Sequence, residues 1–171
     1  MALVGRGGVL EQAREVRADQ YGIRTLLQVD EAAVKFEIVF EARIELEPPG
    51  PDDRICGIAS LTLLDLAASK LLANSDRWAD DSVFSRDLID LAMMQPGREL
   101  LDRAKAKACA AYGDSIETDL AKSIENLLER KGQLERCMEA LQMMGPKALL
   151  WQRIGALRPA RRTRLMRGRG R

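Results

Sequence analysis

The chain has no histidine and no paired cysteine motif, and both absences exclude chemistry. Without histidine, Ser-His-Asp and Cys-His nucleophilic catalysis are excluded and a zinc site is disfavoured. The three cysteines, Cys56, Cys109 and Cys137, are odd in number and far apart, which favours free thiols in a reducing compartment. Any catalysis therefore depends on carboxylate, lysine and arginine side chains.

Aromatic residues and long apolar runs are also scarce. Aromatics make up only 4% of a chain that is 46% hydrophobic, so the core is expected to consist of Leu, Ala, Ile, Val and Met, which favours helices. No apolar run approaches the roughly 18 residues that cross a bilayer, and the N-terminus becomes polar too early for a signal peptide. We expect a soluble, cytoplasmic protein with no membrane partner.

Charge is distributed unevenly along the sequence. After residue 157 there are seven arginines and no acid, which leaves 20 basic and 26 acidic residues before that point. Such a tail attracts RNA, tRNA included, through salt-sensitive phosphate contacts. It has no aromatic residue for base stacking. A solvated extension without function is the other interpretation, and in both cases residues 158–171 are expected to be disordered.

The N-terminal part predicts a helix followed by two or three strands. Residues 9–20 place apolar side chains at helical spacing. Residues 23–29 alternate weakly. VKFEIVF (34–40) alternates more clearly, with Val34, Phe36, Ile38 and Phe40 on one face and Lys35, Glu37 and Val39 on the other. The alternation continues through residues 42–47, and the proline-rich loop 47–53 ends it.

Everything after that loop is predicted to be helical. Thr62 and Asp65 form a capping pair for a first helix, and Ser85 is the predicted cap of a second. The predicted helices cover residues 62–77, 86–94, 98–112, 114–130, 133–144 and 147–156. The predicted fold class is α+β, with a small sheet and flanking helix followed by a C-terminal helical bundle. The predicted domains are residues 1–56, 57–157 and a basic tail, 158–171.

Lys70 lies within the apolar arc of the first predicted helix, in line with Asn74 and Arg77. One interpretation is a lysine whose stem packs against the core while its ammonium reaches water. The other is a stripe of Lys, Asn and Arg directed at a phosphate or a carboxylate, because an ammonium on the buried side needs an anionic partner. The sequence leaves both open.

The segment SRDLIDLA places charged residues at helical spacing. Arg86 and Asp90 lie one turn apart, and Asp87 and Asp90 are three residues apart, so each pair shares a surface. An intrahelical ion pair, together with an acid favoured by the helix dipole, accounts for this pattern without any function.

Glu37 lies in the middle of a predicted strand among apolar neighbours. A carboxylate on the open face of a sheet is a common Mg²⁺ ligand in phosphoryl transfer. Alternatively, Glu37 pairs with Lys35 or, across the strands, with Arg24.

Three segments together, VKFEIVF, LTLLDLAASKLLANSDR and RDLIDLA, resemble the AbiEii/AbiGii nucleotidyltransferase toxins of bacterial toxin–antitoxin and phage-defence pairs. The resemblance covers residues 22–95 well and extends loosely to about residue 155. It implies that residues 1–56 form part of a nucleotidyltransferase core, that Mg²⁺ and a nucleoside triphosphate are the cofactors, and that a cognate antitoxin is a partner. It also implies roles for particular residues: catalytic Lys70, Asp87 and Asp90, nucleotide-binding Lys70 and Arg86, and Glu37 as the third catalytic carboxylate and metal ligand. The stripe on the first helix adds Asn74 and Arg77 as predicted nucleotide-binding residues.

The chain departs from the family pattern near its beginning. Family members carry a Gly-Ser turn and a strand with an Asp-x-Asp pair, whereas the early glycine cluster here, Gly5 to Gly8, has neither. We therefore expect a catalytically incomplete protein, from either a truncated or mis-started gene or a degenerate relative. The alternative function is a non-catalytic helical module that binds a protein or RNA through its acidic body and arginine-rich tail.

Overall fold

A computed structural model describes residues 4–5, 8–9 and 11–158 of the 171-residue chain. The chain divides into two compact units, Met1–Arg43 and Ile44–Arg171. The described part of the first unit is built from strands, and that of the second mainly from helices. The fold class is α+β, as the sequence predicts. The predicted domain limits at residues 56 and 157 stay a prediction, because the two units are defined by contacts within this chain and not by comparison with related proteins.

The first unit is an antiparallel sheet centred on one long strand. The unit's strands are β1 Val4–Gly5, β2 Gly8–Val9, β3 Glu11–Gln12, β4 Arg17–Asp19, β5 Gly22–Val29 and β6 Ala32–Val39. Strand β5 pairs with β3 and β4 along one edge and with β6 along the other. Strands β1 and β2 form a separate short hairpin.

The register of β5 and β6 confirms the alternation that the sequence predicts. Thr25 lies opposite Phe36 and Leu27 opposite Val34, whereas the intervening pairs are charged or mixed, such as Arg24 opposite Glu37. Because successive side chains in a strand point to opposite faces, one face of this pair is mostly apolar and the other polar.

Two expectations for the N-terminal part are wrong. The helix predicted over residues 9–20 is replaced by β3 and β4, and the strand predicted over residues 42–47 is irregular. Val16, which the helical spacing places on a packed face, is exposed. Pairing with β5 gives this segment backbone hydrogen-bond partners and covers an edge that would otherwise be open.

The second unit begins with a β-hairpin that the sequence does not predict, followed by the helices. The hairpin pairs β7 Arg54–Ile55 with β8 Ile58–Ala59. Six α-helices lie within the described residues: α1 Leu63–Arg77, α2 Arg86–Met94, α3 Arg98–Tyr112, α4 Ser115–Glu129, α5 Gln133–Ala140 and α6 Lys147–Ala156.

The helix ends agree with the predictions except at two places. Thr62 caps α1 by accepting a hydrogen bond from the Asp65 amide at 3.1 Å, as predicted. Ser85 precedes α2 but makes no capping hydrogen bond, because its own backbone is left-handed at φ 52°. Helix α5 ends at Ala140, before its predicted end at residue 144, and Gln142 has a left-handed φ of 52°.

The core of the second unit is aliphatic, as the composition predicts. Helix α1 packs against α2, α3 and α4, whereas α6 packs against α2, α4 and α5. The buried side chains are mostly leucines, isoleucines and alanines, among them Leu71, Leu72, Leu88, Leu91, Leu101, Ile116, Leu120, Ile124, Leu127 and Ile154. Within the described residues, no helix combines the length and the apolar character that crossing a membrane requires.

Candidate functional site

Helix α1 presents Lys70, Asn74 and Arg77 on one stripe, because residues four and seven positions apart lie on the same side of a helix. Leu71 and Leu72 are buried in the core and fix the rotation of the helix. Asn74 is buried as well, whereas Lys70 and Arg77 are only partly buried. The stripe therefore runs along the margin of the core.

The connection between α1 and α2 reverses the chain, so that α2 packs beside the stripe of α1. After a short 3₁₀ turn, Asp81–Val83, both Phe84 and Ser85 adopt left-handed backbone conformations. Non-glycine residues seldom do so, and two in succession change the direction of the chain abruptly. The first turns of α2 then place Asp87 and Asp90 against α1.

Two cations of α1 and two carboxylates of α2 form a cluster that we call the Lys70 quartet: Lys70, Arg77, Asp87 and Asp90. The ammonium of Lys70 lies 2.5 Å from Oδ2 of Asp90 and 3.6 Å from Oδ1 of Asp87. The guanidinium Nη2 of Arg77 lies 2.6 Å from Oδ2 of Asp87. Of the two interpretations of Lys70, the structure therefore has the one in which the ammonium contacts an anion, and the anions are the carboxylates of Asp90 and Asp87.

The two carboxylates of the quartet differ in exposure. The Asp87 side chain is 5% exposed and contacts both cations, whereas that of Asp90 is 42% exposed and contacts only Lys70. Arg77 directs only Nη2 at Asp87, and its Nε is buried without a partner among the described residues. Asp87 is thus placed to orient the cations, and Asp90 is the partner that solvent or a ligand can reach.

Arg86 is separate from the quartet. It is exposed at the start of α2, and no ion pair within residues 11–158 involves it. The intrahelical pair of Arg86 with Asp90 that the spacing allows is therefore not formed, because Asp90 contacts Lys70 on α1 instead.

Glu37 belongs to the N-terminal unit. Its Oε1 lies 2.9 Å from the Lys35 ammonium and 3.3 Å from Nε of Arg24, directly across from it on β5. The cross-strand pairing that the sequence allows is formed. The role of Glu37 as the third catalytic carboxylate and metal ligand stays a prediction.

The described residues contain no preformed metal site. Within the described residues, no group of three or more carboxylate, cysteine or histidine side chains could hold a metal ion. Asp87 and Asp90 face cations already, and Glu37 does too.

A second charged cluster lies at the other end of α1, and the sequence does not predict it. Asp65 is fully buried in the first turn, where it forms an ion pair with Lys107 of α3 and accepts a hydrogen bond from the Glu47 amide at 2.7 Å. Burial raises the pKa of Asp65, but the Lys107 ammonium, the Glu47 amide and the Thr62 hydroxyl outweigh it, so that the pKa is lowered overall. We call these residues, Asp65, Lys107 and Glu47, the Asp65 cluster.

The fold and the quartet define an α+β protein whose helical unit carries a cation–carboxylate cluster between its first two helices. The family model of the nucleotidyl transferase AbiEii toxin, of type IV toxin–antitoxin systems, matches residues 2–163, so the chain belongs to this family. The resemblance seen in the sequence is confirmed. No curated protein and no solved structure matches the chain.

Proposed function

We propose that the Lys70 quartet is the phosphate-binding side of a nucleotide cleft, and that this chain binds a nucleoside triphosphate without completing nucleotidyl transfer by itself. The observation that carries the proposal is the pair of cations, Lys70 and Arg77, held on one helix face by Asp87 and Asp90. Their positions are seven residues apart along the helix, about 10 Å along its axis. A triphosphate can span this distance, and membership of a nucleotidyl transferase family supports such a ligand.

The quartet can exchange one partner for a ligand. Asp90 is the more exposed carboxylate, and the side chain of Lys70 is itself partly exposed. A phosphate oxygen can therefore replace Asp90 at Lys70, since both are anionic acceptors of a charge-assisted hydrogen bond. Asp87 stays buried between the two cations and keeps them in position. Arg86 is a further nucleotide contact that we propose from the family resemblance, and Asn74 is one that we propose from its place on the stripe.

Transfer requires more than this cluster provides. Two-metal phosphoryl transfer depends on carboxylates gathered around the metal ions. The sequence has no Gly-Ser turn followed by Asp-x-Asp, and the described residues hold no metal-binding group. These two observations support the proposal that the chain is catalytically incomplete as it stands. Glu37 as a third carboxylate remains a proposal that rests on the resemblance.

Binding and transfer are tested separately on the full chain. Fluorescent ATP and GTP analogues are expected to bind weakly, and Lys70→Ala should weaken binding at least about tenfold, a change of roughly 1.4 kcal/mol. Lys131→Ala removes an exposed lysine outside the quartet and is the matched control. Equal binding by the Lys70→Ala variant would disprove the proposed cleft.

The transfer assay uses α-labelled nucleotides, tRNA and the protein. No label is expected on either macromolecule. Label on tRNA or on the protein would disprove the proposed incompleteness while leaving the binding result intact.

A second candidate function is an interaction module whose partner is an antitoxin or an RNA. The charge asymmetry favours it, because seven arginines follow an acidic body. The arginines after residue 158 lie outside the described residues, and Arg158 itself pairs with Glu129 at 3.3 Å. RNA binding that survives Lys70→Ala but is lost on deletion of residues 158–171 would favour this function over nucleotide binding.

A further inference from the structure

Two surface pockets lie on either side of Leu149 and Arg153 in α6. The first, of 310 Å³, lies between α6 and the end of α2, where Ala92, Gln95 and Pro96 line it. The second, of 170 Å³, lies against the segment between α5 and α6. Because both pockets include Leu149 and Arg153, they are neighbours on the surface, and we call the two together the Arg153 groove.

The groove is apolar and rich in methionine. Met93, Met138, Met143 and Met144 line the smaller pocket. Met144 is 98% exposed, and both Met93 and Leu149 are exposed as well. Methionine side chains are flexible and polarisable, so they adapt to apolar groups of different shapes. An exposed cluster of this kind is typical of a surface that a partner covers.

Arg153 gives the groove a charge that no acid among the described residues pairs with. Within residues 11–158 no ion pair involves this side chain, and its Nε is buried without a partner. Its one hydrogen bond within that range goes from Nη1 to the sulfur of Met93 at 3.2 Å, and a thioether is a weak acceptor. A carboxylate would satisfy the guanidinium far better, through charge-assisted and bidentate hydrogen bonds.

We propose that the Arg153 groove binds an amphipathic helix of another protein, one that carries a carboxylate among apolar side chains. The apolar side chains enter the two pockets, and the carboxylate pairs with Arg153. Helix α6 has ten residues and is about 15 Å long, so the groove beside it can take two to three turns of such a helix, at about 5.4 Å per turn. This site does not involve the Lys70 quartet.

The test measures binding of a fluorescein-labelled amphipathic peptide of Leu, Glu and Ala to the full chain by fluorescence anisotropy. A second peptide has every Glu replaced by Lys. The wild-type protein should bind the Glu peptide at least about tenfold more tightly than the Lys peptide. Arg153→Glu should reverse this preference. Arg103→Glu changes an exposed arginine of α3 outside the groove and should leave the preference unchanged.

Met144→Lys provides a second variant that does not threaten folding, because Met144 is almost fully exposed. It should weaken binding of the Glu peptide several-fold. Three results would overturn the proposal: no binding of either peptide, a preference that Arg153→Glu leaves unchanged, or a wild-type dimer that Arg153→Glu dissociates, since a second copy would then occupy the groove.

Discussion

Helix α1 takes part in two charged clusters that differ in burial, and this difference is the basis for the different roles that we propose for them. The Asp65 cluster lies at the first turn, where the carboxylate is fully buried and its lysine 19% exposed. The Lys70 quartet extends from the middle of the helix to its last turn, and Lys70, Arg77 and Asp90 are all partly exposed. Both clusters join α1 to another helix by ion pairs, yet the acid at the centre of the first, Asp65, is closed to solvent, whereas Asp90 in the second is open to it.

The two clusters should therefore respond differently to the loss of a charge. Removal of one partner of a buried ion pair leaves an uncompensated charge in the protein interior, which costs several kcal/mol. An exposed pair contributes little, because water solvates each charge almost as well as the partner does. The effects of substitutions on the free energy of unfolding can test this distinction.

The largest effect is expected for Lys107→Met, which leaves the buried carboxylate of Asp65 without its cation. The free energy of unfolding should fall by about 3 kcal/mol. Urea unfolding followed by tryptophan fluorescence measures it, since Trp78 and Trp151 both lie in the helical unit. In the double variant Asp65→Asn with Lys107→Met, part of the loss should be recovered. A loss below about 1 kcal/mol would mean that the Asp65–Lys107 pair contributes no more than a surface ion pair, which would contradict its structural role.

The Lys70 quartet shows what the sequence can predict. The spacing of the residues alone places Lys70 within the apolar arc of a helix, and it leaves two outcomes, an ammonium that reaches water or one with an anionic partner. The structure has the second, with Asp90 and Asp87 as the partners. The same kind of periodicity, with a period of two, gives the two faces of β5 and β6 correctly. In both cases the information lies in residues close together in the sequence.

The Asp65 cluster and strands β3 and β4 show what the sequence cannot predict. Asp65 and Lys107 are 42 residues apart, and nothing local to either residue identifies the other. Strands β3 and β4 have two and three residues. Elements this short have no readable period, so their pairing with β5 decides their conformation and overrides the helical spacing of residues 9–20.

The next largest effect is expected for Asp87→Asn. Asp87 is the buried member of the quartet and accepts from Arg77 at 2.6 Å, and the substitution removes its charge while keeping its shape. The free energy of unfolding should fall by about 2 kcal/mol, the usual range for a hydrogen bond to a charged group. The same urea titration measures it, with Asp102→Asn on the exposed face of α3 as the control. An unchanged midpoint would contradict the orienting role of Asp87.

A smaller effect is expected from pH. The pKa of Asp65 is lowered in the folded state, so the folded state gains stability at pH values above the ordinary aspartate pKa of about 4. This stability is lost as the pH falls below that value and through the folded-state pKa. Asp65→Asn should therefore show a shallower decline of stability between about pH 4 and pH 2 than the wild type. If the stability of the wild type and of the variant declines in parallel, the pKa of Asp65 is the same in the folded and unfolded states, which would contradict this prediction.

The smallest effect on stability is expected for Asp90→Asn, and it separates the two clusters most directly. Asp90 is 42% exposed, so the loss of its charge should change the free energy of unfolding by no more than about 0.5 kcal/mol. Yet the substitution releases the Lys70 ammonium from its anionic partner. If a phosphate must replace Asp90, inorganic tripolyphosphate should bind the variant several-fold more tightly than the wild type, as calorimetry can measure. Weaker binding would instead mean that Asp90 itself contacts the ligand, and a large loss of stability would make the quartet a structural cluster like that of Asp65.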